Sequence, residues 1–172
     1  MLISIVIVEY NCMNDVFKCI ESIRKHLCSV EYEVVVVSNS QYRESELNGF
    51  LDELGPGIEL VSTDGNIGYA GGVNTGIRHA SGRYIYILNP DCLLTDANIC
   101  SIIEQMDEDP KWVIAGPMVV DESGVVQPSC RRFPRPWTVF LARSFLARMT
   151  RFRLEQERYF MTDFDHQSTS SV

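Results

Sequence analysis

Four clusters of polar residues each follow a run of β-branched and apolar residues, and these are the places where chemistry could be done. Glu9-Tyr10-Asn11 follows Ile3–Val8, and Ser38-Asn39-Ser40 follows Glu33–Val37. The glycine-rich stretch Asp64–Gly72 follows Ile58–Ser62, and Asn89-Pro90-Asp91 follows Tyr84–Leu88. The small hydroxyl and amide groups of Ser38 and Asn39 suit hydrogen bonds to a ribose or a base edge. A glycine-rich turn opening a helix aims backbone N–H groups and the positive end of the helix dipole at an anion. Turn geometry alone would also call for those glycines. Asp91, held by proline at a strand end, is a hard oxygen ligand of the kind that holds Mg²⁺ or Mn²⁺ beside phosphates and water. An isolated aspartate in a turn is commonly just a solvated charge, so its weight comes from the other three clusters.

Other chemistries are disfavoured. No G-x-G-x-x-G follows the first run and no Gly-Lys-Ser/Thr follows any of them, which argues against dinucleotide and P-loop sites. The six cysteines, Cys12, Cys19, Cys28, Cys92, Cys100 and Cys130, are widely and irregularly spaced with no C-x-x-C pair. They read as reduced core thiols rather than a zinc site or a disulfide framework. Asp163-Phe164-Asp165-His166 reads as a solvated acidic chain end rather than a metal site.

The elements that must position these groups alternate. Strands are expected at Ile3–Val8, Glu33–Val37, Ile58–Ser62 and Tyr84–Leu88. Helices are expected between them, the first capped by Asn14 and carrying Val16, Cys19, Ile20, Ile23 and Leu27, the second carrying Leu47, Phe50, Leu51 and Leu54. The third opens from the glycine-rich turn with Val73, Ile77 and Ala80 on one face; the fourth is capped by Asp96 and carries Ile99, Ile102, Ile103 and Met106. Trp112–Val120 reads as a further strand, with a turn at Asp121–Gly124 leading into Val125–Gln127. Strands alternating with helices predict a mostly parallel α/β sheet, whose ligands bind beyond the carboxyl ends of the strands. All four polar clusters would then line one crevice.

Composition agrees. Of 172 residues, 45% are hydrophobic and 22% charged, enough to bury a core. The net charge of −8 argues against nucleic acid as a partner. Residues 1–130 hold 7 basic and 19 acidic side chains, a net of −12, whereas residues 131–172 hold 8 arginines and 4 acids, a net of +4. That shift suggests a body at 1–130 and a basic, partly helical segment at 131–172. The opening run Leu2–Val8 lacks a basic flank and ends at Glu9, unlike a signal peptide, so a cytoplasmic setting is expected.

The chain closely resembles the N-terminal, donor-binding half of a family 2 glycosyltransferase of GT-A fold, in the rhamnosyltransferase-like branch. The likeness is carried by Val6–Asn11, Glu33–Asn39, Asn66–Gly76, Tyr84–Asp91 and Gly116–Gly124 running on to Arg131–Pro134. It implies transfer of a sugar from a nucleotide-diphosphate donor, of dTDP-rhamnose or UDP-sugar type, to a glycan or lipid-linked acceptor in bacterial surface polysaccharide synthesis. By the same resemblance Val8, Glu9 and Tyr10 with Ser38 and Asn39 would hold base and ribose. Asn66, Gly68 and Asn74 would border the crevice. Asn89 and Asp91 would form the D-x-D-type motif, with Asp91 on Mg²⁺ or Mn²⁺. The family usually has Asp where this chain has Ser38, and often Asp where it has Asn89. The resemblance puts the base of an inverting reaction in an acceptor half, expected beyond Val172.

Residues 137–153 mix apolar side chains with Arg143, Arg148, Arg151 and Arg153. Such a stretch suits either packing on an acceptor half or peripheral contact with an anionic membrane surface. An uncovered apolar face there would favour self-association. The rival to an enzyme is a nucleotide-sugar-binding or interaction module without catalysis.

Overall fold

The computed structural model describes residues 2–28, 30–127, 129, 131–135 and 157–161. By contact density the chain divides into two units, Met1–Val113 and Ile114–Val172. The first holds β1 (Leu2–Glu9), α1 (Met13–His26), β2 (Glu31–Ser38), α2 (Glu44–Leu54), β3 (Ile58–Ser62), α3 (Gly68–His79), β4 (Tyr84–Leu88) and α4 (Ile99–Glu108). Its strands pair in parallel in the order β3-β2-β1-β4. A central strand of such a sheet is covered on both faces, which is why its sequence is a continuous apolar run rather than an alternation. The chain moves outward from β1 to β3, then returns through α3 to lay β4 against the other side of β1. That reversal is a topological switch point, where a parallel sheet opens a crevice beyond its strand ends.

Alternation along each strand feeds two cores. Ile3, Ile5, Ile7, Val34 and Val36 share one with Val16, Cys19, Ile20 and Ile23 of α1. Val8, Val35 and Val37 form the other with Val73 of α3. The expected buried face of α3 needs correcting. Gly72, Val73 and Gly76 are buried there, while Ile77 is 40% exposed. The helix lies so close to the sheet that a Cβ on Gly76 would stand 2.3 Å from Val6 Cγ1, and one on Gly72 2.6 Å from Val8 Cγ1. The glycines of this stretch therefore serve helix–sheet packing as well as the turn.

Three local expectations also change. The N-cap of α1 is Cys12 and the helix begins at Met13; the Glu9 carboxylate, three residues earlier, accepts the Cys12 N–H at 3.3 Å. The N-cap of α4 is Asn98, which Asp96 holds through its backbone N–H at 3.0 Å and its side-chain amide at 2.8 Å. Of Trp112–Val120 only Val119–Val120 (β5) is strand, paired antiparallel with β6 (Val126–Gln127) in the second unit. The rest has no regular secondary structure, with Val113 and Ile114 78% and 88% exposed, and among the described residues no strand pairs with it. The turn between β5 and β6 is as expected: Asp121 N–H reaches Val125 O at 2.9 Å and Gly124 takes a positive φ of 81°.

Cys12, Cys19, Cys92 and Cys100 are free thiols. Among the described residues no helix is long and apolar enough to cross a membrane. Cys130, the segment 137–153 and Asp163–His166 lie outside the described residues.

Candidate functional site

Hydrogen bonds join all four polar clusters into one chain of contacts across the strand ends. The link from β1 to β2 is the Glu9 carboxylate, which is fully buried. It accepts from the Ser38 hydroxyl, from the Ser40 hydroxyl at 3.1 Å and from Cys12 N–H at 3.3 Å. A buried carboxylate is tolerable only when donors surround it, and here the start of α1 adds the favourable end of its dipole. Ser40 Oγ in turn accepts the N–H of Asn11 at 2.6 Å, whose φ of 55° lies in the left-handed region. The turn after β1 is thus pinned from β2.

The link from β2 to the glycine-rich stretch is Asn39, 2% exposed. Its amide donates to Gly68 O at 3.1 Å and its carbonyl accepts from the Thr63 hydroxyl at 3.2 Å. Thr63 also ties to Ser38 O at 3.0 Å and Gly65 O at 2.7 Å. Asn66 Oδ1 accepts Gly68 N–H at 2.8 Å, fixing the residue with φ +77° that starts α3. The last link runs from α3 to β4: the Tyr69 hydroxyl donates to Asn89 Oδ1 at 2.9 Å. Cys92 N–H closes the turn on Asn89 O at 3.1 Å, and Leu94 N–H reaches Ser22 Oγ of α1 at 3.0 Å.

The sequence-selected residues thus fall into two layers. Val8, Glu9, Ser38 and Asn39 are buried; Val8 packs its methyls beneath Gly72, and the polar three brace the loops above them. Tyr10, Asn66, Gly68, Asn89 and Asp91 are exposed and form the accessible layer. Asn74 is exposed further along α3 and, among the described residues, takes no part in this network. Sequence reasoning passes over Thr63 and Tyr69 as individual residues. Thr63 had a signal in its place directly after β3; Tyr69 had none, since its bond to Asn89 crosses twenty positions.

The negative charges leave a mark on their neighbours. Burial pushes the Cys19 thiol up to about 12, helped by Cys92 and Asp91. Burial also raises Cys92, with Asp91 adding to it, and raises Tyr69, again with Cys92 and Asp91 behind it. Cys12 is raised first by burial and then by Glu9, Asp15 and Asp91, against a backbone hydrogen bond at Tyr10. These thiols are protonated at neutral pH and act as apolar packing, not as nucleophiles.

Asp91 offers one exposed carboxylate, which accepts from the Cys92 thiol at 3.8 Å. Among the described residues no group of three or more His, Cys, Asp or Glu could hold a metal ion. A hard divalent ion that draws its remaining ligands from phosphate and water fits a single carboxylate of this kind.

The profile of glycosyl transferase family 2 matches residues 4–170. The chain belongs to this family. Among solved structures it is similar to S. aureus TarS 1–349 in complex with UDP, at 20% identity and a TM-score of 0.51 over 63% of this chain and 32% of that one. It is likewise similar to the mannosyltransferase PcManGT from Pyrobaculum calidifontis in complex with GDP-Man and Mn²⁺, at 21% identity and a TM-score of 0.50 over the same shares, 63% and 32%. This family 2 chain thus spans about a third of the length of those neighbours, and the likeness establishes the GT-A fold. A search of curated proteins gives no match.

Proposed function

We propose that this chain binds a nucleotide-diphosphate sugar beyond the ends of β1, β2 and β4 and serves its transfer to a glycan or lipid-linked acceptor. The observation that carries the reading is the Tyr69–Asn89 bond. It sets the start of α3 beside the Asn89-Pro90-Asp91 turn at the switch point, which supports a helix end that would take the diphosphate next to a carboxylate that would take the metal. Tyr10 and Asn11 would flank the nucleoside, braced from below by Glu9, Ser38, Asn39 and Ser40. Gly68 and Asn66 would border the diphosphate, with Asn74 further along the crevice. Asp91 would hold Mg²⁺ or Mn²⁺, which when bound neutralises charge developing on the leaving diphosphate. The finer reading is an inverting transfer of rhamnose from dTDP-rhamnose, or of a sugar from a UDP donor, in surface polysaccharide synthesis at the cytoplasmic face of a membrane. TarS and the mannosyltransferase, solved with UDP and with GDP-Man and Mn²⁺ respectively, support a nucleotide-linked donor.

Thermal unfolding with UDP, dTDP and GDP, each with and without Mn²⁺, tests this directly. A nucleotide at a hundred times its Kd adds about 2.7 kcal/mol. A metal-dependent rise in Tm with one nucleotide supports the reading, and no rise with any of them overturns it. A second reading, a donor-binding module without catalysis, draws on Ser38, neutral where the resemblance leads one to expect Asp. Binding without any sugar release from the matching donor would favour it.

A further inference from the structure

We infer that Glu9 is a positioning residue for the nucleoside end of the crevice, acting through Ser40 on the backbone of Asn11 rather than touching the donor. The inference rests on the donor-binding reading above and deepens it. Glu9 is fully buried and cannot reach a ligand itself. Its two oxygens take the hydroxyls of Ser38 and Ser40 and the N–H of Cys12, and the Tyr42 hydroxyl, in the same loop as Ser40, also bonds to it. Those donors belong to different elements: the end of β2, the loop after it and the start of α1. One carboxylate therefore fixes the spacing of three chain segments at the strand ends.

The consequence reaches the accessible layer through Ser40. A serine oxygen that gives its proton to Glu9 keeps both lone pairs, and one of them takes the Asn11 N–H at 2.6 Å. Asn11 is one of two described non-glycine residues with positive φ, a conformation that persists where surrounding bonds hold it. Next to it stands Tyr10, 56% exposed. Without Glu9, the Ser40 hydroxyl loses its orienting acceptor, and the Tyr10–Asn11 turn is free to leave the left-handed conformation.

Side-chain chemistry separates bonding from charge. A glutamine at position 9 can turn its carbonyl to Cys12 and Ser40 and its amide N–H to Ser38, whose hydroxyl accepts as readily as it donates. Glu9→Gln therefore keeps the connections, and Glu9→Ala removes them all. The experiment compares parent, Glu9→Gln, Glu9→Ala and Ser40→Ala chains. It reads amide hydrogen exchange at Asn11 and at the remote Val35 without ligand, and the Kd of UDP, dTDP and GDP with Mn²⁺. In Glu9→Ala and Ser40→Ala, exchange at Asn11 should quicken about tenfold or more while Val35 holds, and affinity should fall about tenfold, the scale of a lost hydrogen bond to a charged group. Glu9→Gln should stay within about twofold of the parent on both counts. Unchanged Asn11 exchange in Glu9→Ala overturns the positioning role, and so does equal loosening of Val35, which would mark general destabilisation. A Glu9→Gln chain as weak as Glu9→Ala overturns it too, since charge and not bonding would then carry the effect. A parent chain that binds no nucleotide overturns the donor-site reading, while the exchange rates still decide whether Glu9 sets Asn11.

Discussion

Replacing Gly76 by alanine tests how α3 is held against the sheet. Alanine is the better helix former by about 1 kcal/mol, so on local grounds Gly76→Ala should stabilise α3. The packing argues the reverse. The new Cβ would stand 2.3 Å from Val6 Cγ1, 3.3 Å from Val6 Cγ2 and 3.2 Å from Val37 Cγ2, where ordinary contact begins at 3.4 Å. Val6 and Val37 are fully buried, and a β-branched side chain has few rotamers to retreat into. The helix must lift or the valines must strain, and overpacking of this severity sits at the upper end of the usual 1–3 kcal/mol. Set against the propensity gain, the net loss is about 2 kcal/mol, which lowers Tm by about 4–8 °C in a chain of this size. Gly49 of α2 is the control: a Cβ there meets nothing within 4 Å, so Gly49→Ala should gain about 0.5–1 kcal/mol. Thermal unfolding followed by circular dichroism reads both, and Val6→Ala combined with Gly76→Ala should recover part of the loss. A Gly76→Ala chain as stable as the parent would refute the close approach of α3 and the account of its glycines.

Further outcomes are expected elsewhere. Asp91→Ala should leave the ligand-free Tm unchanged, because that carboxylate is exposed, and should abolish the Mn²⁺-dependent part of nucleotide stabilisation; EDTA should do the same to the parent. Asn39→Ala should lower stability by about 0.5–1.5 kcal/mol in chemical denaturation, since it removes the hydrogen bonds to Gly68 O and Thr63 Oγ1. Glu33 answers to acid. Burial pushes its carboxyl up, but hydrogen bonds from Ser4, Ser81 and Gly82 together hold it below the ordinary 4.5. A depressed folded value contributes stability above the unfolded value and loses it as pH falls through the folded one. Melting curves between neutral and strongly acid pH should therefore show a shallower acid decline in Glu33→Gln than in the parent, beginning below about pH 4.5.

The sequence by itself determined the order and type of the elements in the first unit. Runs such as Ile3–Val8 and Glu33–Val37 can be satisfied only where both faces of a strand are covered, and that requirement is local enough to read from composition. It also determined that polar clusters stand at four strand ends. What it could not determine were contacts between residues distant along the chain. Helical periodicity places Val73, Ile77 and Ala80 together, but the sheet admits only Gly72, Val73 and Gly76, because the distance between α3 and β1 is set by the valines beneath. The short apolar run at 112–118 looks like a strand, yet a strand exists only where a partner takes its hydrogen bonds. Glu9 reads as one more polar residue of a cluster; its buried place between Ser38, Ser40 and the start of α1 follows from the parallel pairing of β1 with β2. The chemistry available at each strand end is a property of residue types. Which groups face the crevice and which brace it from below is decided by burial, and burial belongs to the assembled sheet and its helices.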